Sequence, residues 1–246
     1  MAEFDPRLYG ARWAQRYDEW HAGMMDDDGA VAVLAELAGD GPLLEFGVGT
    51  GRLAVPLAEK GHDVVGVDVS EDMLAQLANK SDAVTAVVGD MTTVRVDREF
   101  SVAYIAFNSI FVLGTQEDQV RLFRNAAAHL RPGGRFVLET VVVHGVPASD
   151  SHKLRVAKVE NDRLTLSAGI IDPLTQFYNG VWVELTPQGT EFFPIHGRSV
   201  THHEMDLMAQ LAGLELENRW GDWKGGAFTA ESKLHVSVYR KPSQTG

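Results

Sequence analysis

Between residues 43 and 53 the chain reads Leu43-Leu44-Glu45-Phe46-Gly47-Val48-Gly49-Thr50-Gly51-Arg52-Leu53, an apolar run that passes through alternating glycines into a helix-compatible stretch. Glycines at a strand-to-helix turn let a ligand approach the backbone with no Cβ in the way. The helix start behind them offers N–H groups that lack an intrahelical partner. That combination suits a nucleotide-like ligand. A dinucleotide fingerprint would need Gly-x-Gly-x-x-Gly. The position three after Gly49 is Arg52, and the third glycine stands one residue early, so the strict pattern fails. The chain has no Cys, which removes cysteine nucleophiles, thiolate zinc sites, iron–sulfur clusters and disulfides. Its chemistry must run on oxygen and nitrogen groups or on a borrowed cofactor.

Positioning such a turn requires a regular frame. The 246 residues suffice for one large α/β domain, with or without a small insertion, and 45% hydrophobic with 23% charged residues is an ordinary soluble balance. Leu8, Trp13, Tyr17 and Trp20 recur at helical spacing over 4–24, and the acidic run 26–28 caps a helix over 30–38. Strands are predicted at 43–46, 63–67, 84–88, 100–106 and 135–143, alternating with helices at 52–59, 71–79 (capped by Ser70) and 117–130. Their continuous Val/Ile/Leu/Phe runs imply a parallel sheet covered on both faces. After Pro147 the rhythm changes. Segments 153–160, 163–170, 177–185 and 190–196 alternate in strand fashion between turn residues, which predicts an antiparallel insertion of three or four strands. A helix at 203–211, a strand at 214–219, a Gly-rich loop at 221–226 and a last strand at 233–239 follow. The expected fold class is α/β: a Rossmann-like, doubly wound, mostly parallel seven-stranded sheet with an antiparallel β insertion after strand five. The expected organisation is N-terminal lid helices (1–38), a core (39–147 and 198–241) and the insertion (148–197), with a frayed tail from Lys241.

At this point the chain resembles the class I S-adenosylmethionine-dependent methyltransferases, in their small-molecule, natural-product branch. Glu45 with Gly47, Gly49 and Gly51 matches the family's acidic residue and glycine triplet. The resemblance implies that Asp68, closing Val65-Gly66-Val67-Asp68, accepts from both ribose hydroxyls. It also implies that Met73 lies against the adenine, that Asp90 accepts from the adenine amino group and that the Met91 backbone meets the ring edge. Leu130-Arg131-Pro132-Gly133-Gly134 resembles the family's turn before strand five, and Tyr17 of the Tyr17-Asp18 pair is placed near the cofactor's methionine part. Asn108, after strand four, completes the expected cofactor set. The likeness is close over 40–140, loose over the N-terminal helices, and architectural after 150.

Methyl transfer from a sulfonium is an in-line displacement, so the protein aligns a nucleophile and excludes water. A hydroxyl acceptor also needs a base, whereas a neutral amine does not. Among candidate catalytic residues His144, directly after strand five, ranks first as base or substrate-orienting group. His21, one turn after Tyr17, and Tyr178, in the insertion, follow. Trp182, His196, His202 and His203 are further lid candidates. A metal at His202-His203-Glu204 is set aside because adjacent side chains should point apart, and no metal is expected. Phe107-Asn108-Ser109-Ile110 lacks the Asn/Asp-Pro-Pro-aromatic signature of enzymes that methylate nucleic-acid bases or protein amides. A net charge of −12 likewise disfavours nucleic acid. The expected acceptor is the N or O of a small molecule such as a natural product or nucleotide sugar. A tRNA or protein methyltransferase, a NAD-dependent oxidoreductase and a non-catalytic cofactor-binding regulator are the alternatives. No leader or membrane span is read, so a cytoplasmic place is expected, and the insertion is expected to cover the site or supply a homodimer interface through a strand edge.

Overall fold

The computed structural model describes residues 10, 12–21, 23, 25–144 and 152–243. Leu8 of the first expected helix, the Gly145 to Pro147 stretch and the last three residues of the tail lie outside that set. The elements are α1 (Tyr17–His21), α2 (Asp27–Ala38), β1 (Leu43–Phe46), α3 (Ala54–Glu59), β2 (Val64–Asp68), α4 (Glu71–Lys80), β3 (Val84–Val88) and β4 (Phe100–Ile105). A 3₁₀ turn (Ser109–Val112), α5 (Gln116–His129) and β5 (Leu130–Val141) complete the first half. β6 (His152–Val159), β7 (Leu164–Ile171), β8 (Phe177–Thr186) and β9 (Gly189–Arg198) precede α6 (His202–Leu211), β10 (Glu215–Trp220) and β11 (Leu234–Arg240).

The larger sheet has the order β10-β11-β5-β4-β1-β2-β3, with only β11 running against the rest. β1 and β4 are buried at every residue, as central strands covered on both faces must be. On one face Leu122 and Phe123 of α5 pack with Phe136 and Tyr239 of the sheet, and on the other Leu34 of α2 and Leu57 of α3 pack with Val102 and Val236. The chain winds from β1 outwards through β2 and β3, then returns to build β4 and β5 on the other side. This reversal opens a crevice at the carboxyl ends of β1 and β4, where ligands bind in open α/β sheets. Side-chain caps predicted from sequence appear at Asp26, whose carboxylate accepts from the Gly29 N–H, and at Ser70, whose hydroxyl accepts from the Met73 N–H. Several boundaries differ from expectation, among them the start of α2, at Asp27 rather than residue 30. β5 starts at Leu130 because that residue already pairs with Phe100, and α3 starts at Ala54 because the glycine turn extends through Leu53.

The second sheet is antiparallel, in the order β6-β7-β8-β9. Its register puts Tyr178, Trp182, Phe193 and Ile195 on one face, and Trp13 and Trp20 pack there with ring centroids 5.0 Å (Trp13 to Phe193) and 5.7 Å (Trp20 to Trp182) apart. Buried Arg198 ties the sheet to the core: its guanidinium donates to Gln119 (2.7 Å), Gln176 (2.6 Å) and Glu204 (2.7 Å), while Gln119 Nε2 donates back to the Arg198 carbonyl. Among the described residues no helix is long and apolar enough to cross a membrane.

Candidate functional site

The glycine turn sits at the mouth of the crevice. The Gly47 and Val48 N–H groups both donate to the Val67 carbonyl, at 2.8 and 3.0 Å, which binds the turn to the end of β2. Gly49 has φ 55°, and nothing stands within 4 Å of where its Cβ would be. Gly51, at φ 83°, is different. A Cβ there would overlap Leu77 Cδ1 and stand 2.9 Å from Val55 Cγ2, and its N–H is already given to the Val48 carbonyl. Gly49 therefore leaves ligand space, whereas Gly51 serves the packing of α4 on the turn.

The two acids of the motif are both desolvated. Asp68 Oδ2 accepts from the Gly49 N–H and Oδ1 from the Ser70 N–H, both at 2.9 Å. Burial raises its carboxyl above the ordinary range, opposed by these backbone donors. Each oxygen keeps acceptor capacity beyond those bonds. Glu45 is 4% exposed and receives the Tyr104 hydroxyl at 2.8 Å. Burial pushes its carboxyl up to about 8, against the lowering effect of Tyr104 and of the Arg52 charge.

The N-terminal segment closes over this turn. Thr50 Oγ1 donates to Asp18 at 2.7 Å, and Lys80 of α4 pairs with the same carboxylate at 2.6 Å. Tyr17 is pushed up to about 12 by burial, with the Arg52 charge opposing the rise and the charges of Glu45, Asp68 and Asp18 adding to it. Its ring lies 4.2 Å from that of His21, whose Nδ1 is 2.8 Å from the Tyr17 carbonyl. His21 also meets Phe107 at 5.1 Å, and burial lowers its basicity. Arg52, the residue that breaks the dinucleotide pattern, contacts Asp27 and lies 5.8 Å from the Phe107 ring.

The other expected positions are spread around this centre. Met73 is buried with Trp13 and Phe193, in the seam between α4 and the N-terminal segment. Asp90 is exposed, with Oδ1 accepting from the Thr92 N–H at 2.7 Å. Met91 has its methyl 3.8 Å from the Gly47 Cβ position and its carbonyl accepting from Asn125. Asn108 Oδ1 accepts from the Val141 N–H at 2.7 Å. Of the three expected catalytic side chains, only His21 joins the group around Tyr17. His144 is exposed and stands apart from that group. Tyr178 packs at the edge of the core, on the inward face of the second sheet, and burial pushes it up to about 12. One expectation is corrected: the His202 and His203 rings, at the start of α6, do not point apart but lie with their centroids 3.8 Å from each other, tilted by 37°.

Sequence reasoning missed Phe107, Glu139 and Trp223. With Met25, Asp26, Asn108, Asp222 and others they line a cavity of about 370 Å³ beside the carboxyl ends of β4 and β5. A lone acid inside the apolar run of β5 was the available signal for Glu139.

The family described as "Methyltransferase domain" matches residues 43–134. The cypemycin N-terminal methyltransferase of a Streptomyces species is 30% identical over 244 residues, spanning 96% of this chain and 99% of the relative. A dTDP-3-amino-3,4,6-trideoxy-alpha-D-glucopyranose N,N-dimethyltransferase of Streptomyces venezuelae is 31% identical over 54% of this chain and 58% of its own length. Among solved structures, the CcbJ methyltransferase of Streptomyces caelestis superposes with a TM-score of 0.92 at 35% identity, covering 98% of this chain and 100% of that one. With the acidic strand ends, the glycine turn and a near full-length relative in agreement, the chain belongs to the class I S-adenosylmethionine-dependent methyltransferases.

Proposed function

We propose that the protein methylates an amine nitrogen of a small natural-product molecule or nucleotide sugar. The observation that carries this reading is the cavity beside the carboxyl ends of β4 and β5, whose lining joins the aromatic residues Phe107 and Trp223 to the acidic residues Asp26, Glu139 and Asp222, a combination suited to an amine-bearing molecule. Relatives whose names specify nitrogen acceptors support it. The net charge of −12 supports an acceptor other than a polyanion, and the lack of Cys fits a cytoplasmic place.

The cofactor's seat passes a test of fit: the space before Gly49 is one a Cβ would fill, and Asp68 keeps acceptor capacity towards it. Asp68 would hold the ribose, Asp90 and the Met91 backbone the adenine, and Glu45, Tyr17 and Asn108 the methionine end. Gly47 and Gly49 would give room, with Met73 and Gly51 supporting from behind. When bound, S-adenosylmethionine supplies an electrophilic methyl on a sulfonium. The chain's own residues exclude water, through the tethered N-terminal segment, and orient the amine. His21, neutral near pH 7 because burial lowers its basicity, takes the proton that a protonated amine must lose. The test is transfer of labelled methyl to a panel of aminosugars and amino-terminal peptides, beside matching alcohols. Amines should be labelled, and His21→Gln should slow transfer about a hundredfold or more. Labelling of alcohols alone would overturn the nitrogen assignment.

The same proposal includes a homodimer. Opposite the tryptophan-covered face, the second sheet presents Leu154, Val156, Val159, Leu166, Val183 and Phe192 in register, with Leu154 75% and Val159 71% exposed. Four strands of about eight residues make roughly 500 Å² of flat apolar surface, the size at which such patches mark interfaces. A second copy would cover it face to face rather than through the β6 edge. Light scattering should find a dimer that Leu154→Glu with Val156→Glu turns into a monomer. An unchanged mass in the double variant, or a monomeric parent, would remove the interface.

A further inference from the structure

Glu139 stands two residues before the end of β5 and is 5% exposed. A buried carboxylate is costly unless its oxygens are satisfied, and here they are satisfied in two different directions. Oε2 accepts from the Phe107 backbone N–H at 3.0 Å, and Oε1 accepts from the Trp223 indole N–H at 2.8 Å. The Glu139 carbonyl also accepts from the Asn108 N–H, at 3.2 Å. Phe107 and Asn108 are consecutive non-glycine residues in left-handed conformation, with φ 47° and 65°. Such a pair persists only where its surroundings hold it; besides the local Phe111 N–H on the Asn108 carbonyl, the holding groups from β5 are those of Glu139 and the Val141 N–H on the Asn108 amide oxygen.

The turn faces both halves of the site. The Phe107 ring packs on His21 and near Arg52, and Ser109 follows with its Cβ 3.3 Å from the Gly47 Cβ position. On the other side Phe107 and Trp223 line the cavity. We propose that Glu139 is a positioning residue which, through its two oxygens, holds the Phe107-Asn108 turn and the Trp223 indole in one arrangement and so sets the wall shared by the cofactor cleft and the cavity. This rests on the glycine turn being the cofactor's seat.

The test uses the full chain, with Glu139→Gln as the variant that keeps size but turns one acceptor into a donor. Exchange of the Phe107 and Asn108 amides should quicken about tenfold while the β1 and β2 amides keep their protection, and affinity for S-adenosylhomocysteine should fall about tenfold, the effect of a lost bond to a charged group. The Trp223 emission, isolated by difference against Trp223→Phe, should respond to S-adenosylhomocysteine in the parent and not in Glu139→Gln. Merely structural damage would instead expose amides throughout the sheet. Unchanged Phe107 exchange together with affinity within twofold of the parent would overturn the proposal. Should Glu139→Gln fail to fold, Trp223→Phe removes the indole donor together with part of the ring while leaving the Glu139 carboxylate in place, and Phe107 exchange as slow as in the parent would again overturn it. A parent that does not bind S-adenosylhomocysteine would sink the cofactor seat, while the exchange comparison would still decide what Glu139 holds.

Discussion

Asp68→Asn lowers the affinity for S-adenosylhomocysteine by about two orders of magnitude, because hydrogen bonds to a charged acceptor are worth about 1.5–3 kcal/mol each and a ribose diol makes two. The carboxylate already receives the Gly49 and Ser70 N–H groups, one on each oxygen, so both oxygens are fixed in place before any ligand arrives. An amide has the same shape, but one of its two positions is an NH₂ that cannot accept. It faces either the Gly49 or the Ser70 N–H with a donor, and it loses a ribose bond at the same position. Titration calorimetry checks the result, and a dissociation constant within threefold of the parent's would remove Asp68 from the ribose role. Its pH dependence follows from the raised carboxyl. A ligand held by the ionised form weakens as pH falls through the folded pKa, so the loss begins at a higher pH than an exposed Asp would give.

Local pattern made much of this fold legible and long-range contact hid the rest. The strands 43–46 and 84–88 coincide with β1 and β3, because a continuous apolar run bounded by turn residues leaves little choice of register. The caps at Asp26 and Ser70 were readable since side chain and N–H lie three residues apart. Nothing local says that Trp13 meets Phe193, or that Glu139 reaches Trp223. Those pairs form only when separate βα units and the second sheet pack together. Phe107 escaped notice because left-handed backbone at a bulky residue is imposed by its surroundings, not by its own preference. The strip of alternating apolar residues in 153–196 announced strands, yet which face the tryptophans would cover was settled only by the register Trp182 to Phe193.

Gly51→Ala and Gly49→Ala should separate what the motif's glycines do. At Gly51 a methyl group meets Leu77 and Val55, and Leu77 is buried in the core, so making room requires moving packed side chains. Overpacking of this kind costs about 1–3 kcal/mol and the left-handed backbone, at φ 83°, adds about 1–2 kcal/mol. Taken together as about 3 kcal/mol, this lowers the melting temperature by about 6–12 °C in a chain of this size. At Gly49 only the backbone cost applies, because the space before it is open, and the melting temperature falls by about 2–8 °C. The same methyl, however, stands beside the N–H that Asp68 holds, in the volume assigned to the cofactor. Gly49→Ala should therefore bind S-adenosylhomocysteine at least about tenfold more weakly, the penalty of overpacking a formed site. Gly51→Ala, measured below its own transition, should stay within about threefold of the parent because it disturbs only the packing behind the turn. Thermal melting and calorimetry on the two variants decide the matter, and the reversed pattern, with Gly51 governing affinity and Gly49 stability, would place the ligand on the other side of the turn.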